Sequence, residues 1–304
     1  MNLQLPVLLP LGSAVLGLVF AAMLFAQWRE RRKPYQLIWA LGLLWYGLAA
    51  GTEFWGNAFG WSALLYRSWY LIGALMVAAW LGQGQAYLLR TRGFGTLLAG
   101  GLALGALPGL AKGSRLLGAG DPLGPTALTI GAIGLSAALL VTMVAWSRPA
   151  WLGHVTLSLL LVGTLYGAAK VLTVPVDTTV MLHPETGVVH GAGFTEEARL
   201  LTPLFNITGA LALVFGAGYS AWVYWRQGLY PQRVVSNSLI ALGAFVPGLT
   251  SSLNRLGFTE AFSLGEFLGL TLIFVGFVVS LDVFVQRPWP MRRRAPLTAA
   301  SPTA

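Results

Sequence analysis

Two acids and two bases, Glu53, Arg67, Lys170 and Glu266, stand inside otherwise apolar stretches of this chain. At about 1.5 Å per helical residue, each lies within roughly 10 Å of the same end of its stretch. An ionisable side chain at the centre of a bilayer costs roughly 2.5 to 3.5 kcal/mol on insertion scales, so such residues are paired or put to use. Brought to one level from four helices, and joined by Tyr70, Tyr166, Asn206 and Arg255, they could line a pocket that binds a small or lipophilic ligand from outside. The alternative is structural. Lys170, Glu53 and Arg67 are near enough to the surface to snorkel to the headgroups or to form ion pairs. Glu266 separates the two readings, because its carboxylate, flanked by Leu264, Gly265, Phe267 and Leu268, is too short to snorkel far: unpaired it would be neutral, and beside Lys170 or Arg67 it would stay charged. The same residue supports an alternative function, a secondary transporter of a small solute or protons with Glu266 as coupling group and a hinge near Pro247.

Other chemistries find little to work with. The chain has no cysteine, which excludes disulfides, thiolate catalysis, Cys-ligated zinc and iron–sulfur clusters. A membrane haem needs histidines within helices, and His154 alone lies near one. His183 and His190, with Asp177 or Glu185, could hold a metal on a loop, but solvated histidines fit that spacing better. The residues around Lys170 do not reproduce a retinal Schiff-base helix, and the sequon at Asn206 lies within a span, where it has no meaning. With no phosphate-binding loop or nucleophile elbow, the sequence predicts neither an enzyme nor a cofactor. On the other side of the membrane, Gln83, Gln85, Asn237, Ser280 and Asp282 form a weaker polar set.

The elements that must position these groups are membrane helices. Over 304 residues, 56% are hydrophobic and 10% charged, against about a quarter charged in a soluble domain. Stretches near the roughly 20 residues that span a bilayer occur at 6–27, 35–56, 63–89, 94–111, 126–147, 152–173, 199–225, 235–254 and 261–285. Most of the 19 Lys and Arg fall in alternate gaps between them: Arg29 to Lys33, Arg90 to Arg92, Arg148, Arg226 to Arg233, and Arg287 to Arg294. The other gaps collect Glu53, Asp121, Asp177, Glu185, Glu196, Glu197 and Glu260. Basic loops stay cytoplasmic, so the expected fold is all-α, a polytopic bundle of nine helices with the N-terminus outside. Residues 1–287 form a single transmembrane domain, and 288–304 a basic, disordered cytoplasmic tail. The charge of +9 orients the chain among membrane lipids and excludes nucleic acid as a partner. A bacterial cytoplasmic membrane fits the composition, and a partner membrane subunit is the remaining candidate.

Local patterns refine this frame. The glycine-rich segment 94–111, with Pro108, could be short or re-entrant. Between 174 and 198, two β-prone runs flank Pro184 to Gly187, which predicts a small extracytoplasmic β-hairpin with 183 opposite 188 and 181 opposite 190. Thr195, Glu196 and Glu197 then read as the cap and acidic first turn of the seventh helix. A weak repeat lays Asn57 to Arg90 on Asn254 to Arg287, using one turn chemistry twice: Gly to stop a helix, an aromatic residue, then a hydroxyl to cap the next. Glycine pairs four apart, such as Gly101 and Gly105, read as packing positions.

Two resemblances follow from these residues. Trp45, Tyr46 and Gly47 to Glu53, with Leu65 to Tyr70 and Trp80 to Tyr87, resemble the second and third helices of the seven-helix membrane sensor region of bacterial histidine kinases. Ala241 to Asp282 is similar to uncharacterised bacterial multi-pass membrane proteins. The first resemblance implies a sensor or accessory role, although this chain has two further helices. The second implies membrane location alone.

Overall fold

The computed structural model of the protein describes residues 5–184, 186–228, 230–255 and 261–280, with side chains except at 252–255 and 261. Among the described residues, nine helices are long and apolar enough to cross a membrane. They are α1 (Leu5–Arg31), α2 (Pro34–Phe59), α3 (Ala63–Leu88), α4 (Arg92–Gly118), α5 (Leu123–Ser147), α6 (Leu152–Thr173), α7 (Thr202–Gln227), α8 (Pro231–Arg255) and α9 (Ala261–Ser280). The chain is a multi-pass helical membrane protein. Arg29, Arg31, Arg90, Arg92, Arg226 and Arg233 gather at one end of the bundle, the basic end. Asp121, Asp177, Glu196 and Glu197 gather at the other, the acidic end. Indoles mark the basic rim, where Arg32, Arg92 and Arg226 lie over the half-buried Trp28 and the exposed Trp146 and Trp222 at 4.9, 5.7 and 5.3 Å, as cations and interfacial aromatics do.

Turn chemistry sets the helix limits. Gly60, at φ 100°, ends α2, and the Ser62 hydroxyl accepts a hydrogen bond from Leu65 N at 3.2 Å to cap α3. That is the expected sequence of stop, aromatic and cap; its second copy at 257–259 lies outside the described residues. Pro34 and Pro231 begin α2 and α8, where a missing N–H is harmless. Segment 94–111 is not re-entrant. It belongs to the 27-residue helix α4, which runs through Pro108. Neighbouring helices approach it closely on either side of Pro108: a Cβ at Gly105 would lie 2.8 Å from the Leu204 Cα of α7, and one at Gly109 would lie 3.1 Å from the Ala127 carbonyl of α5. The glycine pairs thus pack this chain's own helices.

Hairpins α1–α2, α4–α5 and α8–α9 pair tightly, and α7 lies against α3, α4 and α8, with α1 and α9 in contact. Phe20, Leu43, Tyr46, Leu81, Leu213 and Leu270 bury a core shared by α1, α2, α3, α7 and α9. By contrast, α6 leans on α3 and touches α5 lightly. Within α3, Tyr70–Met76 widens into a π-helix, a feature with no counterpart in the hydropathy or turn pattern; such turns recur at functional sites. Here the widened turn begins at Tyr70 and follows directly on Tyr66 and Trp69, all three buried.

The expected β-hairpin does not form a ladder, and the described residues of the 174–195 loop contain no strand. Val176 pairs with Phe194 and Leu182 with Val189 as isolated antiparallel bridges. Single 3-10 turns at Thr178–Val180 and Gly191–Gly193 interrupt the extended runs, because Asp177 Oδ1 accepts from Thr179 N and His190 Nδ1 accepts from Ala192 N. Side chains near the backbone have won it from the sheet. The loop is fastened to α3 instead: Tyr66 donates its hydroxyl to the His190 carbonyl at 2.6 Å, accepts from Gly193 N at 3.1 Å, and stacks on Phe194 at 5.0 Å.

Burial, then the neighbouring His183, hold His190 below its ordinary range, and Arg199 adds to this. The unfolded loop takes up a proton first. Stability from the neutral ring is therefore present above the ordinary histidine pKa, about 6.5, and is lost as pH falls toward the depressed value. Amide protection factors across 188–194, measured against the intrinsic exchange rate at each pH, should fall below about pH 6, and His190→Gln should abolish that fall. An unchanged pH dependence in the variant would assign it elsewhere.

Candidate functional site

The four charges singled out by the sequence separate into two places. Glu53, on α2 and 2% exposed, accepts a hydrogen bond from Ser263 Oγ of α9 at 2.8 Å, and the Trp69 indole of α3 also reaches it. Tyr46 donates its hydroxyl to the Glu266 backbone carbonyl at 2.7 Å, and the Glu53 and Glu266 carboxylates are close enough to repel each other. Acid has met acid, across α2 and α9. Glu266 therefore lies beside neither Lys170 nor Arg67.

The bases serve α6 and its surroundings. Lys170 Nζ pairs with Glu197 and sits over the Tyr166 ring at 5.6 Å. Arg67 donates to the Val171 carbonyl near the C-terminal end of α6, where orphan carbonyls and the helix dipole favour a cation. Tyr70 and Thr202 share a hydrogen bond at 2.8 Å between their hydroxyls. Asn206 is half-buried on α7, and Arg255 closes α8 with its side chain outside the described residues.

Sequence reasoning missed the short helix Glu196–Arg199 that precedes α7. The Thr195 side chain makes no cap, and the two glutamates reach outward. Glu196 pairs with Lys112 of α4, Glu197 pairs with Lys170 of α6, and Arg199 lies 3.9 Å from Glu196. One turn thus clamps two helices at the acidic end. Lys112 carried the signal that singled out Lys170, a base on the side where bases are disfavoured, but it stood directly after the glycine-rich segment 94–111 whose path was in question. Pro203, which cannot donate to the previous turn, separates this short helix from α7 and frees it to reach sideways.

Beneath the clamp lies a groove of about 680 Å³ enclosed by α3, α4, α5, α6 and α7, within the size range of ligand sites, roughly 300 to 1,000 Å³. Its walls are mainly apolar, among them Leu98, Leu102, Ile130, Leu159 and Phe205. Tyr166, Lys170 and Glu197 stand at the acidic end, and Gln83 and Thr156 toward the basic end. Ile133 and Val162, exposed groove residues of α5 and α6, mark the side open to lipid, where those helices scarcely touch. Gln83 spends its amide on the Gly153 carbonyl at 2.7 Å, and the buried Thr208 hydroxyl in the wall makes no hydrogen bond to protein. Of the residues expected at a site, Tyr166 and Lys170 line this groove, whereas Glu53, Arg67, Tyr70, Asn206 and Glu266 do not. No protein family, curated protein or solved structure matches the chain.

Proposed function

We propose that this protein is a non-enzymatic membrane protein that binds a lipophilic ligand in the groove lined by α3, α4, α5, α6 and α7, as a sensor or accessory subunit. The observation that carries this reading is the groove itself: apolar, open to the hydrocarbon region between α5 and α6, and finished at one end by the Lys170–Glu197 pair with Tyr166. Apolar walls with a few convergent polar groups are what a ligand site requires. The basic end lies in the cytoplasm of a bacterial inner membrane and the acidic end outside, following the bias of Lys and Arg, so the ligand's polar end is met at the outer face. The kinase-sensor resemblance of α2 and α3 agrees with a sensing role. The test is to purify the protein from membranes and identify what remains bound by native mass spectrometry. A stoichiometric lipophilic molecule, displaced by an excess of the same compound, is the expected result; a protein that is empty, and takes up no lipophilic compound when offered, sinks the reading.

The closeness of Glu53 and Glu266 favours a second reading, a secondary transporter in which the two carboxylates hold a proton or cation. Glu266→Gln should then abolish pH-gradient-driven uptake in proteoliposomes without lowering expression. Unchanged uptake would make the pair structural.

A further inference from the structure

We infer that the basic end carries a binding site for anionic phospholipid, formed by the α3–α4 and α5–α6 turns and separate from the groove. Between Glu53 and Asp177 the chain has a single acid, Asp121, and it lies at the opposite end. These two turns therefore present Arg90, Arg92 and Arg148 with no acid among them, and among the described residues none of the three forms an ion pair. The other basic turns differ. The α1–α2 turn mixes Glu30 with its cations, and Arg233 of the α7–α8 turn lies over Tyr224 and Tyr230. Packing draws the α3–α4 and α5–α6 turns together: Gln83 donates to the Gly153 carbonyl at 2.7 Å, Tyr87 and His154 share a hydrogen bond at 3.2 Å, and a Cβ at Gly95 would lie 3.4 Å from Leu152 Cδ1. Arg90 Nε is held on the Tyr87 carbonyl at 3.0 Å, Arg92 lies over Trp146 at 5.7 Å, and Arg148 is exposed at the end of α5. Topology calls for cations on this side. It does not call for three of them gathered and unpaired.

Guanidinium forks match the oxygens of a phosphate, and basic pockets between transmembrane helices take anionic lipid head groups. What lies beside the arginines decides for a lipid over a soluble anion. Leu139, Met143 and Trp146, at i, i+4 and i+7 on α5, are 67, 68 and 58% exposed, so one apolar stripe leads out of the hydrocarbon to the three arginines. Exposed Trp146 and Trp151 stand at the junction, where interfacial indoles sit. An acyl chain on the stripe with its phosphate among the guanidinium groups meets the whole surface. Free phosphate would meet the arginines alone, and an acidic soluble protein would leave the stripe uncovered. Neither the three arginines nor the stripe lines the groove, so this site stands or falls apart from the groove reading.

The test uses the full-length protein, delipidated in detergent and titrated with dioleoyl phosphatidylglycerol or dioleoyl phosphatidylcholine, with bound lipid counted by native mass spectrometry. The chains are identical, so only the head group distinguishes the two. The first phosphatidylglycerol should bind about tenfold more tightly than phosphatidylcholine, a separation of about 1.4 kcal/mol. Replacing Arg90, Arg92 and Arg148 together by Gln should remove that preference and leave phosphatidylcholine affinity unchanged. Arg226→Gln with Arg233→Gln, which takes two cations from the α7–α8 turn, should keep it. A matched thermal melt checks the fold of each variant; if the triple variant melts early, Arg92→Gln alone should lower the preference severalfold. Equal binding of the two lipids by the parent, a preference that survives loss of the three arginines, or an equal loss in the α7–α8 variant overturns the site. Displacement of bound phosphatidylglycerol by excess inorganic phosphate overturns its assignment to lipid.

Discussion

Gly209→Ala is expected to cost on the order of 3 kcal/mol, at the upper end of overpacking penalties, although it adds a single methyl group. At Gly209 of α7 a Cβ would lie 2.3 Å from both the carbonyl carbon and oxygen of Ala78 in α3, and 2.6 Å from Ala79 N. All three are backbone atoms of a helix, so no side chain can swing aside. The reciprocal contact is as close, with a Cβ at Gly82 2.8 Å from the Gly209 Cα. The substitution must therefore push α3 and α7 apart by about 1 Å, toward ordinary van der Waals separation, and two walls of the groove move with them. Thermal unfolding in detergent should show a drop of roughly 5 to 10 °C, with loss of monodisperse protein. Gly100→Ala is the control. Nothing lies within 4 Å of its Cβ, and the better helix propensity should leave stability unchanged or raise it by up to about 1 kcal/mol. Equal behaviour of the two variants would mean that α3 and α7 do not meet at this crossing.

Ala137→Trp should abolish lipophilic binding, with affinity falling by at least about tenfold, while the helices stay assembled. Ala137 is a half-buried groove residue on α5, on the side where the cavity opens toward α6 and an indole can extend into empty volume. Leu139→Trp, on the same helix at a position 67% exposed, points to lipid and should bind normally. Fluorescence displacement on both proteins, after a matched thermal melt, separates a filled groove from a damaged fold. If Ala137→Trp melts normally and binds as tightly as the parent, the groove is not the site.

Much of the candidate site was legible residue by residue but not as an arrangement. Lys170 and Tyr166 stood out because a base and a phenol one turn apart near the acidic end are unusual in an apolar helix, and they line the groove. Glu53 and Glu266 stood out for the same reason, yet they meet each other across α2 and α9. Depth along a helix is readable from residue count, whereas the direction a side chain takes around the bundle depends on which helices pack together. The charge pattern holds no information about that. The Glu196 and Glu197 pairs escaped notice because acids after a capping residue have an ordinary local explanation, and because Pro203 detaches their turn from α7. The π-helix of α3 had no sequence signal, and the loop was interrupted by local hydrogen bonds accepted by the Asp177 and His190 side chains.

By itself the sequence determined that the chain is a multi-pass membrane protein with nine helices able to cross. That information is local: each span must satisfy its own backbone and face hydrocarbon over a fixed length, so hydropathy and turn residues suffice to mark it. Only the tertiary structure decided that α6 stands off from α5, that one acidic turn clamps α4 to α6, and that a groove remains between them. Helix association in lipid has no hydrophobic drive of its own and follows close packing of small residues and a few polar contacts. Those contacts join positions far apart in the chain, and their choice is settled only when all the helices are in place.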